Sequence, residues 1–81
     1  MKVYMLHESY SLLDYNDHKM FHSYQEAHDA WNALREGILE REKIEQIYTD
    51  EPDEFYLQAD ECSIKIYITE HDVKSVQILT R

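Results

Sequence analysis

Residues 23–38, SYQEAHDAWNALREGI, carry the strongest structural signal in the chain. Ser23 and Glu26 have the spacing of a capping box, in which the serine oxygen accepts a hydrogen bond from the backbone N–H three residues later. Apolar residues then recur at intervals of three and four, which predicts one helical face packed against the rest of the protein. They are Ala27, Ala30, Trp31, Leu34 and Ile38. We expect a helix from residue 24 to about residue 43, with Trp31 at the centre of the core.

The segments on both sides of this helix are predicted to be strands, because their apolar residues alternate with polar ones. The predicted strands are residues 2–10, 18–22, 54–59, 62–69 and 73–80. Turns are expected at residues 12–17, 60–61 and 70–72. Residues 44–48 could form a second short helix or a frayed last turn, and residues 49–53 a connector. The order ββαβββ predicts an α+β fold, with an antiparallel sheet of four to five strands and one long helix packed on one face.

The length of 81 residues suits one domain, spanning residues 1–81. Cys62 is the only cysteine, which excludes an intramolecular disulfide and is typical of a reducing compartment. It shares a strand face with isoleucines, so we expect a core residue and not a nucleophile. The N-terminus turns polar after five residues, and no apolar run reaches the length of a membrane span. These features predict a cytoplasmic protein without a membrane segment.

The charge is strongly acidic and unevenly distributed. Seventeen acids against eight bases give a net charge of −9. Residues 36–61 hold ten of these acids and only two bases, a net charge of −8. Direct binding of nucleic acid requires a basic stripe, which this chain lacks, so we predict no direct nucleic-acid binding.

The sequence offers no catalytic or metal-binding constellation. A single glycine excludes a glycine-rich phosphate loop, and a two-layer domain with one helix is expected to leave little room for a concave acid–base site. His18 and His22 precede the helix and would stand about 13 Å apart along a strand, too far for one ion. His7, His18 and Glu8 could still converge across paired strands. We therefore predict a protein that is not an enzyme and has no metal or cofactor.

Two short segments resemble the same class of proteins. Residues 2–6, KVYML, and residues 21–27, FHSYQEA, are similar to the K-V-Y-x-L strand and the F-x-S-x-x-E-A helix start of small uncharacterised bacterial and phage α+β domains. The resemblance implies a bacterial or phage origin and a compact fold. It implies nothing about active residues.

Two functional hypotheses follow from the acidic segment and its tyrosines. The first is a small acidic protein-binding module, in its sharpest form a phage-type inhibitor that mimics nucleic acid and docks on a basic, nucleic-acid-binding protein. The candidate partner-binding residues are Glu45, Tyr48, Asp50, Glu51, Asp53, Glu54, Tyr56, Asp60 and Glu61. The second is a non-enzymatic accessory domain, monomeric or a homodimer formed through an edge strand such as residues 73–80, whose acidity serves solubility only. The hypotheses differ in whether the acids at the helix end and those at 50–61 share one surface.

Overall fold

The computed structural model describes residues 1–12 and 14–73, and within them the chain forms one helix and five strands. The elements are β1 (Lys2–Tyr10), β2 (Tyr15–Phe21), α1 (Tyr24–Arg41), β3 (Ile44–Glu51), β4 (Glu54–Ala59) and β5 (Cys62–Asp72). All strand pairs are antiparallel, and the sheet order is β2-β1-β5-β4-β3. The predicted α+β class and the element order ββαβββ are confirmed.

The third strand occupies residues that the sequence pattern does not identify as a strand. The helix ends at Arg41, and the C-cap residue Glu42 is already extended, with ψ 147°. Residues 44–51 then pair with β4, but the register shifts between Ile44 and Gln46 and again between Ile47 and Thr49. Each shift inserts an extra residue into the strand and interrupts the period of two. Apolar side chains therefore do not alternate along β3, which is why residues 44–53 look like a helix end followed by a connector.

Two predicted boundaries are wrong for a similar reason. Residues 70–72, predicted as a turn, continue β5 and pair with residues 2–4 of β1. β2 begins at Tyr15, inside the turn predicted at residues 12–17. In both cases a long neighbouring strand extends the pairing beyond the local turn signals. The strand predicted at residues 73–80, with Val76 and Ile78, extends outside the described residues.

The helix and the sheet share one hydrophobic cluster. Trp31 and Ile38 from the helix lie with the buried residues Leu6, Phe55, Leu57, Ala59, Cys62, Ile64 and Ile66. Cross-strand pairing places these strand residues on one side of the sheet, which we call the core face. Trp31 is 4% exposed, and its indole Nε1 donates to the carbonyl oxygen of Ile66 at 3.1 Å. The helix begins as predicted, since the Ser23 oxygen accepts from the Glu26 N–H at 3.1 Å.

Truncation of Trp31 tests this core. We expect Trp31→Ala to reduce the free energy of unfolding by about 3–5 kcal/mol, because it leaves a cavity between the layers. Trp31→Phe retains most of the apolar burial but removes the indole donor, so a loss of about 1–2 kcal/mol is expected. Leu12→Ala, at a residue 61% exposed, should change stability by less than about 0.5 kcal/mol. Urea unfolding followed by circular dichroism measures all three, and a Trp31→Ala protein as stable as Leu12→Ala would contradict the assignment.

Candidate functional site

The nine predicted partner-binding residues all lie between β3 and the start of β5, but the fold separates them. Asp50 and Asp53 contact residues of the helix. Tyr48, Glu51, Glu54 and Tyr56 belong to the side of the sheet opposite the core face or to its edge. Asp60 and Glu61 form the tip of the β4–β5 hairpin, about 20 Å along β4 from Glu54. Glu45 lies near the start of β3, on the same side of the fold as this tip. The nine residues therefore do not form one patch.

Asp50 is held by an arginine of the helix. Arg35 donates from Nε to Asp50 Oδ1 at 3.0 Å and from Nη2 to Oδ2 at 2.8 Å. These hydrogen bonds hold the pKa of Asp50 below its ordinary value of 3.8. The same guanidinium carbon lies 5.0 Å from the centroid of the Phe55 ring. Asp50 thus attaches the edge strand β3 to the helix, and its charge is compensated locally.

Asp53 fastens the β3–β4 turn to the helix and to β5. Its φ of 70° lies in the left-handed region, which aspartate tolerates better than most residues. Tyr24 donates its hydroxyl to Asp53 Oδ2 at 2.6 Å, and His28 Nδ1 donates to Oδ1 at 2.9 Å. The backbone oxygen of Asp53 accepts from the Ile68 N–H at 3.0 Å. With both carboxylate oxygens engaged, Asp53 contributes to the fold and is poorly placed to face a partner.

Substitution at Asp53 separates a structural role from a surface role. Asp53→Ala removes both side-chain bonds and replaces a residue type that tolerates positive φ with one that tolerates it less well, so we expect a loss of about 2–3 kcal/mol in the free energy of unfolding. Asp53→Asn tolerates the same φ and should lose less. Glu51→Ala, two residues away and exposed, should change stability by less than about 0.5 kcal/mol. Equal effects of Asp53→Ala and Glu51→Ala on the free energy of urea unfolding would contradict the structural role assigned to Asp53.

The side of the sheet opposite the core face, called here the open face, carries few charges. Cross-strand pairing assigns to it Val3, Met5, His7 and Ser9 of β1; Asn16, His18 and Met20 of β2; Gln46, Thr49 and Glu51 of β3; Glu54, Tyr56 and Gln58 of β4; and Ser63, Lys65, Tyr67, Thr69 and His71 of β5. Within residues 1–12 and 14–73, no helix covers it. Among the described residues that pairing assigns to this face, only Glu51, Glu54 and Lys65 are Asp, Glu, Lys or Arg. Val3, at the end where β5 finishes, is 5% exposed, whereas Met20 is 55% exposed.

A line of rings, called here the ring stripe, crosses the open face from one edge of the sheet to the other. The rings belong to His18, His7, Tyr67, Tyr56 and Tyr48, which lie on β2, β1, β5, β4 and β3. The His7 ring stacks on Tyr67 with centroids 4.5 Å apart, and Tyr48 and Tyr56 lie 4.9 Å apart. Lys65 Nζ lies 4.9 Å from the Tyr67 ring and 5.7 Å from the Tyr56 ring. Cross-strand register creates this stripe, so the sequence alone does not predict it.

Three histidines form a hydrogen-bonded chain at one end of the ring stripe. His7 and His18 share a hydrogen bond between their Nδ1 atoms at 2.8 Å, while His7 Nε2 lies 2.7 Å from Thr69 Oγ1. Thr69 Oγ1 lies 2.8 Å from His71 Nε2. The predicted meeting of His7 and His18 occurs, but Glu8 lies on the core face, where it accepts from the Tyr10 hydroxyl. Among the described residues, no group of three or more His, Cys, Asp or Glu is arranged to hold a metal ion.

The histidine chain makes stability depend on pH. Burial, followed by the positive charges that His18 and His71 would carry, lowers the pKa of His7 below its ordinary value of 6.5. Between these two values the unfolded chain binds more protons than the folded protein. The contribution of neutral His7 to the free energy of unfolding is therefore fully present above about pH 6.5. It is lost as the pH falls towards the pKa of folded His7.

We expect the thermal midpoint to decrease as the pH is lowered from about 8 to about 5.5. This range lies above the pH values at which the protonation of carboxylates dominates the pH dependence of stability. His7→Phe retains a ring against Tyr67 but cannot titrate, so its midpoint should fall less over this range. His22→Phe, at an exposed position next to β2, should retain the wild-type slope. Identical slopes for His7→Phe and the wild type would contradict the role of His7.

Concave space lies along the side of the helix nearest β2. The sequence analysis predicts little room for a concave acid–base site in a two-layer domain with one helix. One groove of about 290 Å³ has Leu6, Phe21 and Leu34 among its lining residues. A second, of about 450 Å³, is lined in part by Tyr10 and Tyr15. Burial and then a hydrogen bond to Glu8 raise the pKa of Tyr10 to about 12, so its hydroxyl stays protonated and acts as a donor.

Five acids lie in the two segments that meet at the end of the domain where the helix finishes. They are Glu40, Glu42, Glu45, Asp60 and Glu61, and we call them the acidic end. The backbone explains this proximity, because the Asp60 N–H donates to the Lys43 carbonyl oxygen at 3.1 Å. That bond joins the hairpin tip to the link between the helix and β3. The link that follows the helix and the β4–β5 tip are therefore adjacent, whereas Asp50, Asp53 and Glu54 lie towards the other end of the hairpin.

No protein-family model, curated protein or solved structure matches this chain. The resemblance of residues 2–6 and 21–27 to small bacterial and phage domains stays a prediction. Among the described residues, no helix is long and apolar enough to cross a membrane.

Proposed function

We propose that this protein is a small acidic binding module that docks on a basic, nucleic-acid-binding protein through its acidic end. The carrying observation is the backbone bond between Asp60 and Lys43, which holds the β4–β5 tip against the link that follows the helix, and both segments are rich in acids. Glu40, Glu45, Asp60 and Glu61 are all exposed there. Arg41 and Lys43 are the bases nearby, and Arg41 is paired with Glu42 at 3.1 Å.

The position of these acids supports a role in binding over a role in stability. Glu40 lies in the last turn of the helix and Glu42 is its C-cap. The C-terminal end of a helix carries a partial negative charge and favours cations, so an acid there costs about 0.3–1 kcal/mol when exposed. The helix dipole and the five carboxylates instead add to one negative potential. Such a potential attracts a basic partner and increases its association rate.

The tyrosines predicted to supply contact area do not belong to this surface. Tyr48 and Tyr56 lie in the ring stripe of the open face. Contact with the basic partner is therefore mainly electrostatic and should weaken steeply with ionic strength, as exposed charge pairs do. A nucleic acid that presents phosphates should compete for the same basic surface of the partner.

We expect the tagged wild-type protein to capture basic proteins from a bacterial lysate at about 50 mM salt and to lose them at about 500 mM salt. Added duplex DNA should release the same proteins at low salt. A variant carrying Glu40→Gln, Glu45→Gln, Asp60→Asn and Glu61→Asn should lose the capture, because four charges leave the acidic end. Capture is quantified by mass spectrometry of the eluted proteins.

The matched control removes four charges at the opposite end of the sheet, by Glu51→Gln, Glu54→Gln, Glu70→Gln and Asp72→Asn. This control has the same net charge as the first variant but an intact acidic end, so it should retain capture. Equal loss in both variants would show that only net charge matters. Capture that resists salt and duplex DNA would contradict the proposal as a whole.

A further inference from the structure

We propose that the open face is a self-association surface, on which a second copy of this chain packs sheet against sheet around the ring stripe. The proposal is independent of the function of the acidic end, because the two surfaces use different residues. It depends on the charge, the size and the chemistry of the open face.

Charge favours a second copy as the occupant. In a two-fold dimer each residue of the interface faces the same surface of its partner, so a charged face would meet its own charge. The chain has 25 formally charged side chains, 17 acids and eight bases. Within the described part of the chain, pairing assigns only Glu51, Glu54 and Lys65 of these to the open face, with Lys65 Nζ 4.0 Å from a Glu54 oxygen. At neutral pH this face therefore meets a copy of itself with little repulsion, although the whole molecule is strongly acidic.

The area of the open face is also large enough for a stable interface. Strand residues occupy about 3.3 Å along a strand and about 4.8 Å across the sheet. The five strands then present a face of roughly 600 Å² after the buried end at Val3 is left out. Stable interfaces bury about 800 Å² of accessible surface per partner, and accessible surface exceeds a flat footprint because side chains project from it. Two such faces stacked about 10 Å apart would form a four-layer dimer with the helices outside.

The side chains have the chemistry of interface cores. Tyrosine and methionine are enriched at interfaces, and tyrosine is common among the residues that contribute most to binding. Met20 and Tyr48 lie on the two edge strands, β2 and β3, and are 55% and 48% exposed. Between them the stacked rings of His7 and Tyr67 form a broad contact surface that is already ordered by intramolecular contacts. These two rings therefore lose little side-chain entropy on association.

Sedimentation equilibrium of the full chain at about pH 8 tests the proposal. We expect a monomer–dimer equilibrium over protein concentrations of about 1–100 μM. Met20→Glu and Tyr48→Glu each place a carboxylate in the open face and should weaken the dimer by about ten-fold or more, since each charge occurs in both copies. Leu12→Glu adds the same charge away from the open face, at a residue 61% exposed, and should leave the dimer unchanged.

Near-ultraviolet circular dichroism of Trp31 confirms that each variant is folded. The dimer should persist between about 50 mM and 500 mM salt, in contrast to the capture of a basic partner. A chain that stays monomeric at about 100 μM would overturn the proposal. So would a dimer that Met20→Glu and Tyr48→Glu leave intact, because its interface would then lie elsewhere.

Discussion

The contact of Trp31 with β5 is the constraint on which the rest of the structure depends. β5 is the middle strand of the sheet, and the indole bond to the Ile66 carbonyl positions the helix over it. The core face is then filled by the side chains that alternate inwards from β1, β4 and β5. Because side chains of a strand alternate between its two sides, the residues that lie between these core positions on the same strands point to the open face.

The same placement of the helix explains why Asp50 and Asp53 have structural roles. Arg35, Tyr24 and His28 project from the helix towards the β3–β4 hairpin and engage Asp50 and Asp53. These contacts hold the outer hairpin of the sheet against the helix layer. The acids available for a partner are those beyond the reach of the helix side chains, at the end where the helix stops and Lys43 meets Asp60.

Charge is consequently divided between two surfaces with different physical properties. The acidic end concentrates carboxylates around a helix C-terminus, where they reinforce one negative potential. The open face concentrates rings and has almost no formal charge. A dimer built on the open face would leave both acidic ends exposed, so the two proposed contacts could be made at the same time. A partner with two basic sites would then bind with increased avidity.

The sequence by itself determined the features that depend on neighbours along the chain. The Ser23 cap, the apolar helix face with Trp31, and the alternation in β1, β4 and β5 are local patterns, so they are visible without a structure. Only the tertiary structure decided which residues pair across the sheet. Two bulges interrupt the alternation in β3, so its sequence pattern does not indicate a strand. Pairing with the long strand β1 extends β5 through residues 70–72. The side-chain partners of Asp53 lie 25 and 29 residues away along the chain. The ring stripe and the acidic end likewise arise from backbone pairing between distant segments, and such pairing leaves no periodic signal in the sequence.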